Sequence, residues 1–122
     1  MSWKILVVDD QQSIFDFLED ALVEYGLEVI RCEDGAEAIS VFEETQPDLV
    51  LLELCTPGKD GFLILQELVE KSDTPVVIAS AKTEVEDVER ALDLGAADYI
   101  KKPYGKIEIL RVIESCLVTR ND

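Results

Sequence analysis

Several short apolar runs in this sequence end on residues that carry charge or offer a hydroxyl. Ile5-Leu6-Val7-Val8 runs into Asp9-Asp10, Leu49-Val50-Leu51-Leu52 into Glu53, and Val76-Val77-Ile78-Ala79 into Ser80, while Lys102 stands just past the segment 98–101. If the runs lie side by side, three carboxylates, a hydroxyl and an ammonium meet at one edge. Carboxylates packed that closely cannot all stay ionised uncompensated, so the site must take up protons or a cation. A donor set of oxygens alone, with neither sulfur nor imidazole, favours magnesium, which keeps several waters and takes only one or two carboxylates directly.

The elements that would bring these ends together are legible from periodicity. Short aliphatic runs alternate five times with segments of helical spacing, the pattern of a parallel α/β sheet. The first, third and fourth runs are apolar throughout, as strands covered on both faces must be. The run 27–32 is more polar and is expected nearer an edge. Ile14, Leu18, Ala21, Leu22 and Tyr25 predict a first helix stopped at Gly26. Asp34 and Glu37 predict the start of a second, which runs to about Thr45 before Pro47. Phe62, Leu65, Leu68 and Val69 predict a third. Thr83 and Glu86 form a capping box for a fourth, with Val85, Val88 and Leu92 inward and Gly95 as its stop. Ile107, Leu110, Ile113 and Leu117 predict a last helix. In such a sheet, function gathers outside the C-terminal strand ends, where the chain order reverses. That is where Asp9, Asp10, Glu53, Ser80 and Lys102 stand.

Composition narrows the function further. The 122 residues hold 27 Asp and Glu against 11 Lys and Arg, a formal charge of −16, and no histidine. Such a surface repels phosphate backbones and anionic lipid, so neither nucleic acid nor a membrane is an expected partner. Without histidine there is no Ser-His-Asp hydrolase and no histidine-ligated zinc. Hydrophobic residues at 48% and charged residues at 31% describe a globular chain rather than a disordered one. Its length suits one domain, 1–122. Cys32, Cys55 and Cys116 are odd in number and lack a C-x-x-C spacing, which fits a reducing cytoplasm. No run approaches the roughly 20 apolar residues of a membrane span, and no signal segment precedes the first run.

The chain resembles the receiver domain of two-component response regulators. The resemblance rests on the acidic pair after Val8, the loop Pro57-Gly58-Lys59-Asp60-Gly61, Ser80-Ala81-Lys82, the run Leu94-Gly95-Ala96-Ala97-Asp98-Tyr99, and Lys102-Pro103. It implies a flavodoxin-like, doubly wound five-stranded parallel sheet of order 2-1-3-4-5 flanked by five helices. It also implies magnesium held by Asp9, Asp10, the residue at 53 and the backbone carbonyl of Cys55. Ser80 would contact a phosphoryl group, Lys102 would pair with it, Tyr99 would be the aromatic that follows activation, and Lys102-Pro103 would be cis. Implied partners are a histidine kinase or histidine phosphotransfer protein upstream, and an output protein on the face of the fourth helix, fifth strand and fifth helix. A homodimer through that face is also implied. No DNA-binding segment follows the last helix in this sequence, so output is expected through protein contacts.

One departure bears on the central activity, because Glu53 stands where the family has its phosphoaccepting aspartate. The extra methylene moves the attacking oxygen by about 1.5 Å, and misplacement near 1 Å can cost about a hundredfold in rate. Little ordinary phosphorylation is expected. The longer side chain can instead reach the volume a phosphoryl group would fill, near Ser80 and Lys102, although it is planar with one charge where an aspartyl phosphate is tetrahedral with nearly two. Three readings stay open: a receiver working without phosphate, an acidic mimic held partly on, or an engineered substitution.

Each residue also has a plainer use. An acidic pair at a strand end is often a solvated cap, Ser80 could satisfy a nearby backbone group, Lys102 could be a surface lysine, and Tyr99 could simply favour a strand. Their shared location argues against taking them singly. Cys55, beside carboxylates that disfavour a thiolate, is expected to be unreactive. Glu84, Glu86, Asp87 and Glu89 read as a solvated helix face. The expected function is therefore a non-enzymatic signalling module that shifts population rather than turning over substrate. The alternative is a magnesium-dependent phosphohydrolase or phosphotransferase using the same strand-end carboxylates, though the chain offers no substrate-capping insertion. A flavodoxin-type carrier is disfavoured, because Asp9-Asp10-Gln11-Gln12 after the first strand would repel a phosphate.

Overall fold

A computed structural model describes residues 3–121, with side chains described as far as residue 118. Five strands, β1 (Trp3–Val8), β2 (Leu27–Cys32), β3 (Leu49–Leu52), β4 (Val76–Ser80) and β5 (Asp98–Lys101), alternate with helices α1 (Gln12–Val23), α2 (Ala38–Thr45), α3 (Gly61–Lys71), α4 (Val85–Asp93) and α5 (Lys106–Asn121). All neighbouring strands pair in parallel, in the order β2-β1-β3-β4-β5. This is the doubly wound sheet expected above.

Every residue of β3 and β4 is buried, which explains their unbroken apolar sequence. Alternate side chains feed two cores. Leu6, Val8, Val50, Leu52, Val76 and Ile78 meet Phe42 of α2 and Phe62, Leu65 and Leu68 of α3 on one face. Ile5, Val7, Leu49, Leu51, Val77 and Ile100 meet Phe15, Leu18 and Leu22 of α1 and Ile109, Ile113 and Leu117 of α5 on the other. Burying one such aliphatic side chain contributes about 1.5–3 kcal/mol, so the sheet is held between two helical layers and its strand ends are fixed relative to one another. β2, with only β1 beside it, is the partly exposed edge its polar sequence predicted.

The loop from β3 to α3 is tied back by close backbone approach. A Cβ at Gly61 would lie 2.4 Å from the Cα of Leu54, so only glycine fits there. Gly58 has φ +92°, and a Cβ on it would strike the Asp34 carboxylate, which itself caps the short 3-10 turn Gly35–Glu37 by accepting the Ala36 N–H. The Gly35 N–H donates to the Pro57 carbonyl at 2.8 Å. Two loops at the C-terminal edge are thereby locked together, and residues 53–56 are held with them.

In three helices the structure differs from the sequence reading. Tyr25 lies beyond the end of α1 and is 59% exposed; Phe15, which the first-helix reading passed over, fills that core instead. In α4 the Thr83–Glu86 capping box does not form: Glu84 is the N-cap and makes no side-chain cap bond. Val85 and Leu92 are exposed, Val88 is half-buried, and Ala91 is the one fully buried residue of that helix. The helix turns its Val88–Ala91 edge inward, so its small contact with the sheet is made by alanine rather than by the larger aliphatics. In α5 the buried positions are Ile109, Ile113 and Leu117, spaced by four, and Ile107 points to solvent.

Candidate functional site

Parallel pairing places Val8 opposite Leu52, and the ladder runs one residue further, with the Glu53 N–H donating to the Val8 carbonyl at 2.9 Å. Asp9 and Glu53 therefore leave adjacent strands at the same height. β4 and β5 extend likewise, the Lys102 N–H donating to the Ser80 carbonyl at 2.9 Å. Lys102-Pro103 is cis, as expected. The aliphatic strand cores thus deliver two acids, a hydroxyl and an ammonium to one place, although Asp9, Glu53 and Ser80 are themselves buried.

There the Lys102 ammonium lies 2.7 Å from Asp9 Oδ2, 3.0 Å from Glu53 Oε1 and 2.9 Å from Gln11 Oε1. Glu53 Oε1 also accepts the Ala81 N–H at 3.3 Å. Glu53 Oε2 accepts the Ser80 hydroxyl and, at 3.3 Å, the Cys55 N–H. Asp9 Oδ1 accepts the Gln11 N–H at 3.0 Å. Burial pushes the Glu53 carboxyl up, but the hydrogen bonds from Ser80 and Lys102, the Lys102 charge and the Cys55 N–H outweigh it and hold the group below the ordinary carboxylate value. Burial pushes Lys102 down, but Asp9 and Glu53 overcome it and hold the ammonium above its ordinary value. At neutral pH the pair is ionised.

A second line of contacts leads away from Glu53. The Ser80 hydroxyl oxygen accepts the Lys82 N–H at 3.1 Å, and the Lys82 carbonyl accepts the Tyr99 hydroxyl at 2.7 Å. Tyr99 is half-buried, and its phenol is pushed up by burial against the smaller opposing effect of Ser80. Tyr104 closes the site's other flank, its ring edge-on to Phe17 with centroids 5.9 Å apart; burial, then the charges of Asp9 and Glu53, push its phenol far above the ordinary value.

Asp9, Glu53, Ser80 and Lys102 are thus brought together. Asp10 is exposed and stands outside this cluster, and the Cys55 side chain is also exposed. Among the described residues, no three Asp, Glu, Cys or His side chains are grouped to hold a metal ion. The donors are nevertheless of the right kind for magnesium, being all oxygen, and the positive charge between two of them is that of Lys102. Gln11, the Ala81 N–H and the Lys82 carbonyl were not anticipated from sequence. The last two are backbone groups without a side-chain signature, and Gln11 had only its position directly after the acidic pair to mark it.

A doubly wound sheet thus carries a carboxylate, a hydroxyl and a lysine together at its switch point. The model of the response regulator receiver domain matches residues 5–114, and the chain belongs to that family. It is 44% identical over 114 residues to the "Probable transcriptional regulator ycf27" of Porphyridium aerugineum, an alignment covering 93% of this chain and 48% of that protein. The chain spans about half the length of the curated relatives it matches. Among solved structures, the BeF3-activated N-terminal receiver domain of Klebsiella pneumoniae RstA superposes with a TM-score of 0.89 at 28% identity, covering 93% of this chain and 97% of that one. The non-phosphorylated HemR receiver domain from Leptospira biflexa superposes at 0.87 with 28% identity, covering 95% and 94%.

Proposed function

We propose that this domain is a two-component receiver whose Glu53 side chain stands in for a phosphorylated acceptor, so that it signals through protein contacts without needing phosphate. The observation that carries this reading is the set of donors on the Glu53 carboxylate: the Ser80 hydroxyl, the Ala81 N–H and the Lys102 ammonium, the groups an acyl phosphate at this strand end would otherwise engage. Ser80, Lys102 and the Cys55 N–H keep this acid ionised, and Ser80, Lys82 and Tyr99 connect it to the loop before α4 and to β5. The domain works by a shift in population, not by turnover, and acts in the cytoplasm.

Magnesium in this reading is held by Asp9, Asp10, Glu53 and the Cys55 carbonyl, and it would supply further positive charge at the strand ends. The upstream partner is a histidine kinase or phosphotransfer protein, with phosphotransfer itself impaired at Glu53. The output partner docks on α4, β5 and α5, where Val85, Leu92 and Ile107 are exposed; a second copy of the domain could use the same face. The relatives named as transcriptional regulators are about twice as long, which suits an output segment beyond the matched region.

Amide hydrogen exchange of the native chain and of Glu53→Ala tests the connection. Loss of the carboxylate is expected to speed exchange at Ala81 and Lys82 by about tenfold, the equivalent of roughly 1.4 kcal/mol of lost protection, and to spread it into α4 and Tyr99. Faster exchange confined to Cys55 and Ala81, the amides that touch Glu53 directly, would contradict it.

A further inference from the structure

At the other end of the strands from Glu53, Trp3 opens β1 and Leu27 opens β2, side by side in the parallel register. A cavity of about 280 Å³ lies there, walled on one side by Trp3, Tyr25 and Leu27. Its other wall is α5, through Leu110, Ile113, Glu114, Leu117 and Val118. Those positions are spaced i, i+3, i+4, i+7 and i+8, the stripe that one helix offers to another. A second hollow, between α1 and β2, shares Leu27 with the first and adds Val23 together with the acids Asp20 and Glu28. Tyr25 is 59% exposed, Val118 56% and Val23 67%. An apolar patch rimmed by charged residues on a folded domain marks a place where a partner docks. The cavity is below the roughly 300–1,000 Å³ of small-molecule sites, so it suits the side chains of a peptide better than a compact ligand.

The charge around this patch decides what can cover it. Asp20, Glu28 and Glu114 are exposed and pair with no cation among the described residues. The neighbouring Lys106 and Arg31 are engaged by Glu24 and Glu19, and Arg111 lines an adjoining hollow rather than this cavity. A second copy would bring the same unpaired acids face to face, with a formal charge of −16 on each chain. We propose that this edge is a second docking surface, built for a basic amphipathic helix of a partner protein. The apolar side chains of that helix enter between Trp3, Tyr25 and the α5 stripe, and its Lys and Arg side chains meet Asp20, Glu28 and Glu114. The surface lies away from Glu53, and it stands whether or not that residue imitates a phosphorylated acceptor.

The test is titration of the 15N-labelled native chain with an amphipathic helical peptide of leucine and lysine, and with a counterpart carrying glutamate in place of lysine. Shift changes are expected to centre on the amides of Trp3, Tyr25, Leu27 and residues 110–118. The glutamate peptide is expected to bind at least about tenfold more weakly, because its charge has the sign of the rim. Combining Tyr25→Ser with Val118→Ser is expected to weaken the lysine peptide at least about tenfold, since a few anchors in a pocket carry most of the binding. Leu63→Ser, at a comparably exposed apolar residue of α3, is expected to stay within about twofold of the native chain. These positions are exposed, so the variants keep the fold. Shift changes spread over the acidic surface or centred on α4, equal binding of the two peptides, or native affinity in the Tyr25→Ser, Val118→Ser protein would overturn the proposal. Shifts at the same amides that follow the chain's own concentration without peptide would overturn it in favour of a second copy.

Discussion

Incubated with magnesium and a small acyl-phosphate donor, the Glu53→Asp variant is expected to gain one phosphoryl group by intact mass, while the native chain gains none on the same timescale. Attack on phosphorus asks the carboxylate mainly for alignment and for neutralised charge around the incoming group. The native side chain fails on both counts. Its oxygens sit one methylene, about 1.5 Å, beyond those of an aspartate, and misplacement near 1 Å is worth about a hundredfold in rate. They also already occupy the Ser80 hydroxyl, the Ala81 N–H and Lys102, so the donors that would neutralise a phosphoryl group are taken. Shortening the side chain frees those donors and restores the space. Equal phosphorylation of the two proteins would show that Glu53 or a neighbour is a working acceptor.

Replacing Lys102 by methionine is expected to destabilise the fold by about 3–5 kcal/mol in urea unfolding at neutral pH, the cost of stranding buried carboxylates without their counter-ion. Asp9 is 2% exposed and Glu53 4%, and among the described residues the ammonium is the one positive group in contact with both. Adding Glu53→Gln to Lys102→Met should recover part of the loss, because one stranded charge is removed and neighbouring sites of this kind are not additive. A loss below about 1 kcal/mol, typical of exposed ion pairs, would mean that the bridge opens readily to water.

These effects are legible in the sequence to different degrees. β3 and β4 could be read directly, because strands buried on both faces leave an unbroken apolar run and whatever follows each run is delivered to the sheet edge. That is why Glu53 and Ser80 stood out, and why Asp9 and Lys102 joined them. The α4 register could not be read the same way. Val85, Val88 and Leu92 have helical spacing, yet the helix makes its sheet contact through Ala91 and leaves Val85 and Leu92 in water. An apolar pattern marks a face without saying whether the protein core or a partner covers it. In α5 likewise, Ile107 shares the helical spacing that marks the element but is exposed, and Ile109 is buried.

Within the site, side chains with a charge to declare were visible, and the backbone was not. The Ala81 N–H and Lys82 carbonyl matter because of where the chain turns after β4, a matter of backbone direction that residue types do not encode. Asp10 shows the converse. It shares its sequence signal with Asp9, but successive residues at a strand end point to opposite sides, and Asp10 remains exposed while Asp9 meets Lys102.

The central claim is that Glu53 holds this receiver in the arrangement an acyl phosphate would otherwise produce. Its most direct measurement compares the amide shifts of residues 80–82 and 99 in the native chain with those of Glu53→Asp, free and loaded with magnesium and beryllofluoride. In fast exchange between two states, shifts fall on a line whose position reports the population. The native chain is predicted to lie toward the beryllofluoride-loaded end without any addition. Native shifts that overlay the unloaded Glu53→Asp protein would contradict the account.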